Sequence, residues 1–259
     1  MERILTLNKI CLTYHTLQGE IEAIKDLSFD VNKEEFIAIV GPSGCGKTTI
    51  LSLIAQILKP TSGDLVFGDN INTHIGYMFQ RDHLFEWRTI WKNITIGLEL
   101  QNPKQVDLHK QRIEDLLKKY GLYDFKDKYP RQLSGGMKQR AALIRTLAMA
   151  PDLLLLDEPF SALDFQTRLN VCDDVSEIIS SEKKSAILVT HDISEAISMA
   201  DKVIVLTQRP AKVKKVFDIN LKQYGSPLKR RESKDFHPLF DAIWEELQTN
   251  EKENTKLLN

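Results

Sequence analysis

The sequence predicts an α/β fold with a mainly parallel sheet, because strand-like and helix-like segments alternate along it. Short, continuous apolar runs are typical of strands covered on both faces, and four of these runs are Phe36 to Val40, Leu153 to Leu156, Ala186 to Thr190, and Val203 to Thr207. Segments with helical periodicity lie between and beside them: Lys47 to Leu58, Met137 to Ala150, Phe165 to Ser181, and Ile193 to Ala200. Such alternation favours a parallel sheet.

The remaining segments suggest additions to this core. Residues up to Val31 alternate enough to predict an N-terminal antiparallel β layer, and residues from about Asp82 to Ala150 predict an inserted helical subdomain. Pro60 to Asp64 is interpreted as a turn, and Lys222 to Asp235 as a polar loop. We therefore predict one domain over residues 1–235. Residues 236–259 are predicted to form an amphipathic helix through Leu247 and then a frayed tail.

Composition argues against some functions. The 259 residues carry 35 Lys and Arg against 36 Asp and Glu, so the net charge of -1 creates no general attraction for nucleic acid, and we expect no nucleic-acid partner. No apolar run approaches the length of roughly 20 residues that a membrane-spanning helix requires. Any membrane role is therefore expected to come through a partner. The three cysteines have no metal-ligand spacing and are interpreted as free thiols.

A phosphate-binding loop is predicted directly after the first apolar strand. The run from Gly41 to Thr48 satisfies the pattern G-x-x-x-x-G-K-S/T. Its glycines let backbone N–H groups converge on a phosphate, and the following helix adds the positive end of its dipole. The candidate nucleotide-binding residues are Gly41, Pro42, Ser43, Gly44, Cys45, Gly46, Lys47, Thr48 and Thr49. This motif alone does not choose among a kinase, a GTPase and a motor.

Acidic residues at the end of a second strand predict the hydrolytic part of the site. Asp157 is expected to help position Mg²⁺, together with the Thr48 hydroxyl. Glu158 is a candidate general base that polarises the attacking water. His191 follows a third strand at the edge where α/β proteins place ligands. A lone histidine there is more often structural, so His191 is a candidate only together with its neighbours.

The segment Leu133 to Arg140 predicts a second anion-binding helix start. Ser134 is placed as the N-cap, and Gly135 and Gly136 expose backbone N–H groups. With this segment the sequence resembles the ATP-binding-cassette ATPases, whose signature matches Leu133 to Met137, with Met137 where Gln is commoner. Further matches run in the family's order: Tyr14, the Walker B segment Leu153 to Pro159, the D-loop Ser161 to Asp164, Gln80 at the Q-loop position, and the switch histidine His191.

The resemblance implies a P-loop NTPase core that works as a head-to-tail homodimer with two ATP molecules at its interface. It implies that Tyr14 stacks on adenine and that Gln80 joins Thr48 and Asp157 around Mg²⁺. The Ser134 to Gly136 segment would meet the nucleotide held by the other copy. Transmembrane permease subunits and, indirectly, an extracytoplasmic substrate-binding protein would be partners, which implies a peripheral location on the cytoplasmic face of the cell membrane.

Two stretches resemble the nitrate, sulfonate and taurine importers within that family. Phe79 to Thr89 resembles their segment after the Q-loop, although Glu86 replaces the usual proline. Thr207 to Val213 resembles their "RPG" turn, with Ala211 in place of glycine. Two alternatives remain: an ATPase of the same fold that moves no solute, and a small-molecule kinase. The kinase hypothesis gives no function to the segment Leu133 to Met137.

Overall fold

The computed structural model describes residues 2–17, 19–68 and 74–257, with side chains described up to residue 248. The strands are β1 (Arg3–Thr16), β2 (Gly19–Asn32), β3 (Phe36–Val40), β4 (Ser62–Phe67), β5 (Ile75–Met78), β6 (Leu153–Asp157), β7 (Ser185–Val189), β8 (Lys202–Leu206) and β9 (Val213–Asp218). The helices are α1 (Lys47–Ile54), α2 (Ile90–Ile94), α3 (Ile96–Gln101), α4 (Lys104–Lys119), α5 (Gly135–Ala148), α6 (Phe165–Ser181), α7 (Ile193–Met199), α8 (Pro227–Arg231) and α9 (Phe236–Leu257).

The described chain forms two compact units. Residues 2–68 and 185–257 make the first, and residues 74–184 make the second. The second unit contains the whole segment that was predicted to be an inserted helical subdomain, and α2 to α5 account for most of that segment. The proposed boundary at residue 235 stays a prediction.

The first unit has an antiparallel layer in the strand order β2-β1-β4. This confirms the antiparallel layer predicted for the N-terminal residues. The turn predicted for Pro60 to Asp64 is wrong in its second half, because β4 begins at Ser62 and pairs with β1. In that register Ser62 lies opposite Cys11, and Asp64 lies opposite Asn8.

The central sheet of the first unit consists of β7, β3 and β8, which are parallel, and β9, which is antiparallel to β8. β3 and β7 are buried along their whole length, as their continuous apolar sequences predict. The carboxyl ends of parallel strands meet at one edge, so the segments after β3 and β7 lie side by side. Two predicted functional segments therefore share this edge.

The second unit contains the parallel pair β5 and β6, with Met78 opposite Leu156. β5 was not among the strands predicted from the sequence. It has only four residues, and one of them is Gly76, which lacks the β-branched side chain typical of a strand. Gly76 lies against α5, since a Cβ atom there would come within 2.4 Å of the Thr146 Cγ2 atom.

The C-terminal part of the first unit is more ordered than the sequence predicted. The supposed loop from Lys222 to Asp235 contains a 3-10 turn, Lys222–Tyr224, and α8. α9 buries Phe236 and Ile243, in agreement with the predicted apolar face. The predicted fraying from Gln248 differs from the structure, which is helical through Leu257, while Leu258 and Asn259 lie outside the described residues. Within the described chain, no helix combines the length and apolarity needed to span a bilayer.

Candidate functional site

The phosphate loop, Gly41–Thr48, joins β3 to α1 in the first unit. Gly44 and Gly46 have φ values of 72° and 119°, a left-handed conformation that glycine adopts without the steric strain of a Cβ atom. Gly46 is the N-cap of α1, and among the described residues no side chain accepts a hydrogen bond at this cap. The N–H groups of the first turn are thus presented as in an anion-binding helix start.

Lys47 is held inside this loop. Its side chain is buried, and the Nζ atom donates hydrogen bonds to the carbonyl oxygens of Gly41 and Pro42 at 2.9 and 3.1 Å. Neighbouring Cys45 is also buried, and this burial raises the pKa of its thiol although the Lys47 ammonium opposes the shift. Cys45 therefore contributes a neutral, compact side chain beside the cation. The arrangement places one positive charge inside the phosphate loop.

His191 lies on the same edge of the sheet as the phosphate loop. The N–H of Thr190 donates to the carbonyl of Ile39 at 3.3 Å, one residue before His191 and two residues before Gly41. The turn is fixed by a buried hydrogen bond from Thr190 Oγ1 to Glu195 Oε2 of 2.6 Å. The imidazole itself is exposed. The structure therefore brings this histidine to the loop edge, as predicted.

Tyr14 lies near the end of the β1–β2 hairpin in the same unit. It is opposite Ile21, and the two side chains are 38% and 40% exposed, so the hairpin carries an accessible apolar surface. The hairpin also approaches the phosphate loop, because a Cβ atom built on Gly46 would lie 3.5 Å from the carbonyl oxygen of Ala23. Tyr14 is therefore an exposed aromatic side chain on a hairpin that approaches the phosphate loop, and an exposed ring is what base stacking requires.

The carboxylates at the end of β6 lie in the second unit. Tyr77 donates its hydroxyl proton to Asp157 Oδ2 at 3.2 Å. Gln80 Nε2 lies 3.4 Å from both Glu158 Oε2 and Ser161 Oγ. Because β5 and β6 are parallel, Gln80 and Glu158 follow adjacent strand ends. Glu158 has a φ of 44°, a left-handed conformation that is strained for a non-glycine residue and is typical of functional sites.

The signature segment, Leu133 to Met137, starts α5 in the second unit. Ser134 caps the helix by accepting a hydrogen bond from the Met137 N–H at 3.3 Å, which confirms the predicted cap. Both glycines also have a packing role that was not predicted. A Cβ atom on Gly135 would lie 3.1 Å from Leu163 Cδ2, and one on Gly136 would lie 3.0 Å from Val171 Cγ2. The helix start is therefore packed closely against the region around α6.

The predicted site residues thus fall into two groups. Tyr14, the run Gly41 to Thr49 and His191 belong to the first unit, whereas Gln80, Ser134 to Gly136, Asp157 and Glu158 belong to the second. The sequence analysis gave Tyr77 no site role and named Ser161 only as part of the D-loop, because their partners are evident only once β5 and β6 are paired. It also assigned no site role to Arg209, which donates to the carbonyl oxygen of Gly44 at 2.9 Å.

Comparison with known proteins identifies a family. The ABC transporter family profile matches residues 24–161. The chain is 44% identical over 246 residues to the uncharacterized ABC transporter ATP-binding protein YtlC of Bacillus subtilis (strain 168), covering 93% of this chain and 94% of that protein. It is 37% identical to the taurine import ATP-binding protein TauB of Roseobacter denitrificans, covering 94% and 92% of the two chains. The nitrate import ATP-binding protein NrtC of Synechococcus elongatus is 36% identical, over 89% of this chain and 36% of its own length.

Solved structures with the same fold are ATP-binding cassettes. A dimeric cassette in a post-hydrolysis state, bound to ADP and Pi, superposes with a TM-score of 0.68 at 27% identity, covering 84% of this chain and 99% of that chain. The protein cbiO1 of Clostridium perfringens, part of the transporter complex cbiONQ, gives a TM-score of 0.73 at 28% identity, covering 84% and 89%. These likenesses agree with the predicted α/β core and its antiparallel layer.

Proposed function

This chain belongs to the ABC transporter family as an ATP-binding and ATP-hydrolysing subunit, and from that premise we propose that it powers the import of a small sulfonate-, nitrate- or taurine-like solute. The taurine and nitrate import proteins among its relatives support this substrate class. The chain itself would not touch the solute. Its task is to convert ATP binding and hydrolysis into movement of membrane subunits.

One observation carries the proposed mechanism: the chain has two glycine-rich helix starts of the kind that bind anions. One is α1 after the phosphate loop, and the other is α5, where Ser134 and Gly135 are exposed. A second exposed start is useful if it completes a nucleotide bound by another molecule. We therefore infer a head-to-tail homodimer, in which the signature segment of one copy meets the γ-phosphate at the phosphate loop of the other. The dimeric cassette among the structural relatives supports this assembly.

Each predicted residue then has a role in ATP turnover. Lys47 would leave the carbonyl oxygens of Gly41 and Pro42 to bind the β- and γ-phosphates, a stronger partner for a cation. Tyr14 would stack on the adenine ring. Glu158, supported by Gln80, would accept a proton from the attacking water. His191 would donate a hydrogen bond to the γ-phosphate.

A magnesium ion fits the chemistry of the remaining donors. The Thr48 hydroxyl, the Gln80 amide oxygen and the Asp157 carboxylate are oxygen ligands of the kind that Mg²⁺ prefers, and several of its positions usually remain occupied by water. The Tyr77 hydroxyl bond to Asp157 would hold that carboxylate in a fixed orientation. When bound, the ion supplies neutralisation of the phosphate charge that develops during hydrolysis.

The proposed partners follow from the need to couple ATP-driven closure of the two copies to solute transport across the membrane. Closure of the two copies on ATP would pull on transmembrane permease subunits through the region around Gln80, and an extracytoplasmic substrate-binding protein would deliver the solute to them. The protein would then act as a peripheral subunit at the cytoplasmic face of the membrane. The import-system names of the relatives support such an arrangement.

The substitution Glu158→Gln tests the mechanism. We expect it to preserve ATP binding, to lower the rate of phosphate release at least about a hundredfold by removing the general base, and to yield an ATP-dependent dimer in size-exclusion chromatography with light scattering. Glu177→Gln is the matched control, because Glu177 is exposed on α6 in the same unit. Unchanged turnover in the Glu158 variant would remove Glu158 from the mechanism. Transfer of labelled phosphate to a small molecule in place of release would indicate a kinase.

A test of the proposed substrate class requires the assembled transporter. The subunit would be co-purified with its permease and reconstituted in vesicles together with the substrate-binding protein. We expect taurine, an alkyl sulfonate or nitrate to stimulate ATP hydrolysis and to accumulate in an ATP-dependent manner. Stimulation by an unrelated solute alone would reject the substrate class while leaving the ATPase role in place.

A further inference from the structure

The turn between β8 and β9, residues 207–212, contacts the phosphate loop and has no role in the mechanism above. Arg209 Nη2 donates a hydrogen bond of 2.9 Å to the carbonyl oxygen of Gly44, although the two residues are 165 positions apart in sequence. Gly44 is one of the two loop glycines with a left-handed backbone. An exposed cation is therefore used to hold the backbone of the loop.

The turn is anchored to the first unit by its own hydrogen bonds. The N–H of Ala211 donates to the carbonyl of Ala23 at 2.9 Å, and the carbonyl of Ala211 accepts from the N–H of Lys25 at 3.1 Å. Thr207 Oγ1 donates to the Pro210 carbonyl at 3.0 Å and accepts from the Lys212 N–H at 2.9 Å. The turn is thus fixed at both ends, and Arg209 extends from a rigid base.

The turn also lies against the start of α1. Ala211 is fully buried, and its Cβ atom would be 3.7 Å from a Cβ atom on Gly46. It therefore contacts the loop near Gly46, while Arg209 contacts it at Gly44. The buried methyl group of Ala211 fills the space between this turn and the start of α1.

Holding the carbonyl of Gly44 also orients the next N–H group. The peptide unit is planar and trans, so the N–H of Cys45 points away from the carbonyl that Arg209 holds. In this structure the Cys45 N–H points back into the loop and donates to the carbonyl of Pro42 at 3.2 Å. Arg209 thus favours the loop conformation in which this N–H faces inward, where a phosphate group would be bound.

We propose that Arg209 is a positioning residue for nucleotide binding, which fixes the Gly44–Cys45 peptide so that the phosphate loop is organised before ATP arrives. This inference depends on the proposed nucleotide site at that loop. A preorganised loop loses less conformational freedom when nucleotide binds, so the Arg209 contact should raise the affinity for nucleotide. It should have little effect on the chemical step, which uses other groups.

The test compares Arg209→Ala with Lys212→Ala in steady-state ATP hydrolysis and in titrations with ADP. Both substitutions remove one positive charge from the same turn, but the structure shows a side-chain bond to the loop only for Arg209 among these two described residues. We expect Arg209→Ala to raise the KM for ATP and the Kd for ADP about three- to tenfold, the effect of one net hydrogen bond, with kcat unchanged within about twofold. Lys212→Ala should match the wild type, and Arg209→Lys should recover most of the affinity.

Several results would overturn the proposal. Equal affinities for Arg209→Ala and the wild type would do so, as would equal losses in Arg209→Ala and Lys212→Ala, which would indicate a general charge effect. If Arg209→Ala fails to fold, Arg209→Gln is measured in its place, because it also removes the positive charge. The same criteria then apply to that variant. Lys47→Ala separates this inference from the proposed function: if that variant binds ADP as tightly as the wild type, the loop is not the nucleotide site, and both proposals fail.

Discussion

Asn93 is a fully buried polar side chain of the second unit, and its removal should destabilise that unit measurably. The side chain is fully buried, and the two protons of its Nδ2 atom are shared among the carbonyl oxygens of Phe85, Arg88 and Thr89, at 3.1, 3.1 and 3.0 Å. Its Oδ1 atom accepts from the Phe85 N–H at 2.7 Å. One amide therefore holds the whole segment that leads into α2.

The cost of Asn93→Ala can be worked out from these contacts. The carbonyls of Phe85 and Thr89 keep backbone partners, the N–H groups of Arg88 and Asn93 at 3.0 and 2.9 Å. The Phe85 N–H and the Arg88 carbonyl lose the partner that the amide provides. An unsatisfied buried polar group costs about 1–3 kcal/mol, and these two residues are half-buried, so we expect a loss of about 2–4 kcal/mol in the free energy of unfolding.

Urea denaturation followed by tryptophan fluorescence can measure this loss of unfolding free energy specifically in the second unit of the chain. The chain has three tryptophans, Trp87, Trp91 and Trp244. A Trp244→Phe background leaves only the two that belong to the second unit and flank this network. The control is Asn170→Ala, at an exposed position of α6 in the same unit. A loss below about 1 kcal/mol for Asn93→Ala, or an equal loss in the control, would refute the reasoning, since water would then be replacing the amide.

Three further substitutions test the site. Lys47→Ala should weaken ADP binding at least tenfold in a titration, because it removes the charge that would bind the phosphates; equal affinity would show that the loop is misassigned. Tyr14→Ala should weaken ATP binding about fivefold, or about 1 kcal/mol, through lost stacking, and no loss would make Tyr14 merely structural. Gly136→Ala should lower ATP hydrolysis at least tenfold but leave ADP affinity of the monomer intact, because its new Cβ atom would lie 3.0 Å from Val171 Cγ2 and shift the signature segment. Weaker ADP binding in that variant would contradict a role at the partner's nucleotide.

Elements with a strong local signal could be predicted from the sequence almost to the residue. β3 and α6 have the predicted bounds, and α6 begins where the Asp164 side chain accepts a hydrogen bond from the Thr167 N–H. α1 ends at Ile54, short of the predicted Leu58, because the chain turns at Gln56, which has a φ of 58°. Nothing in an apolar helical pattern signals such a turn.

The residues of the candidate site likewise divide into those that could be predicted from the sequence and those that could not. Residues in motifs, such as Lys47 and Ser134, could be found because one local pattern contains both the glycines and the functional group. Residues that support them through tertiary contacts could not be found. Tyr77 reaches Asp157 across two paired strands, and Arg209 reaches Gly44 from a turn late in the chain. Their roles depend on pairing that a single sequence does not encode locally.

The close packing of Gly135 on Leu163 has a consequence for how the two nucleotides of the proposed dimer would be hydrolysed. Leu163 lies two residues beyond Ser161, whose Oγ atom is 3.4 Å from Gln80 Nε2. A shift of Gln80 on nucleotide binding would therefore be passed, through a short stretch of chain, to the start of α5, which in the proposed dimer meets the nucleotide of the other copy. In that dimer, ATP bound at one site would thereby raise the affinity of the other site for ATP. The rate of hydrolysis should then rise with ATP concentration more steeply than a hyperbola.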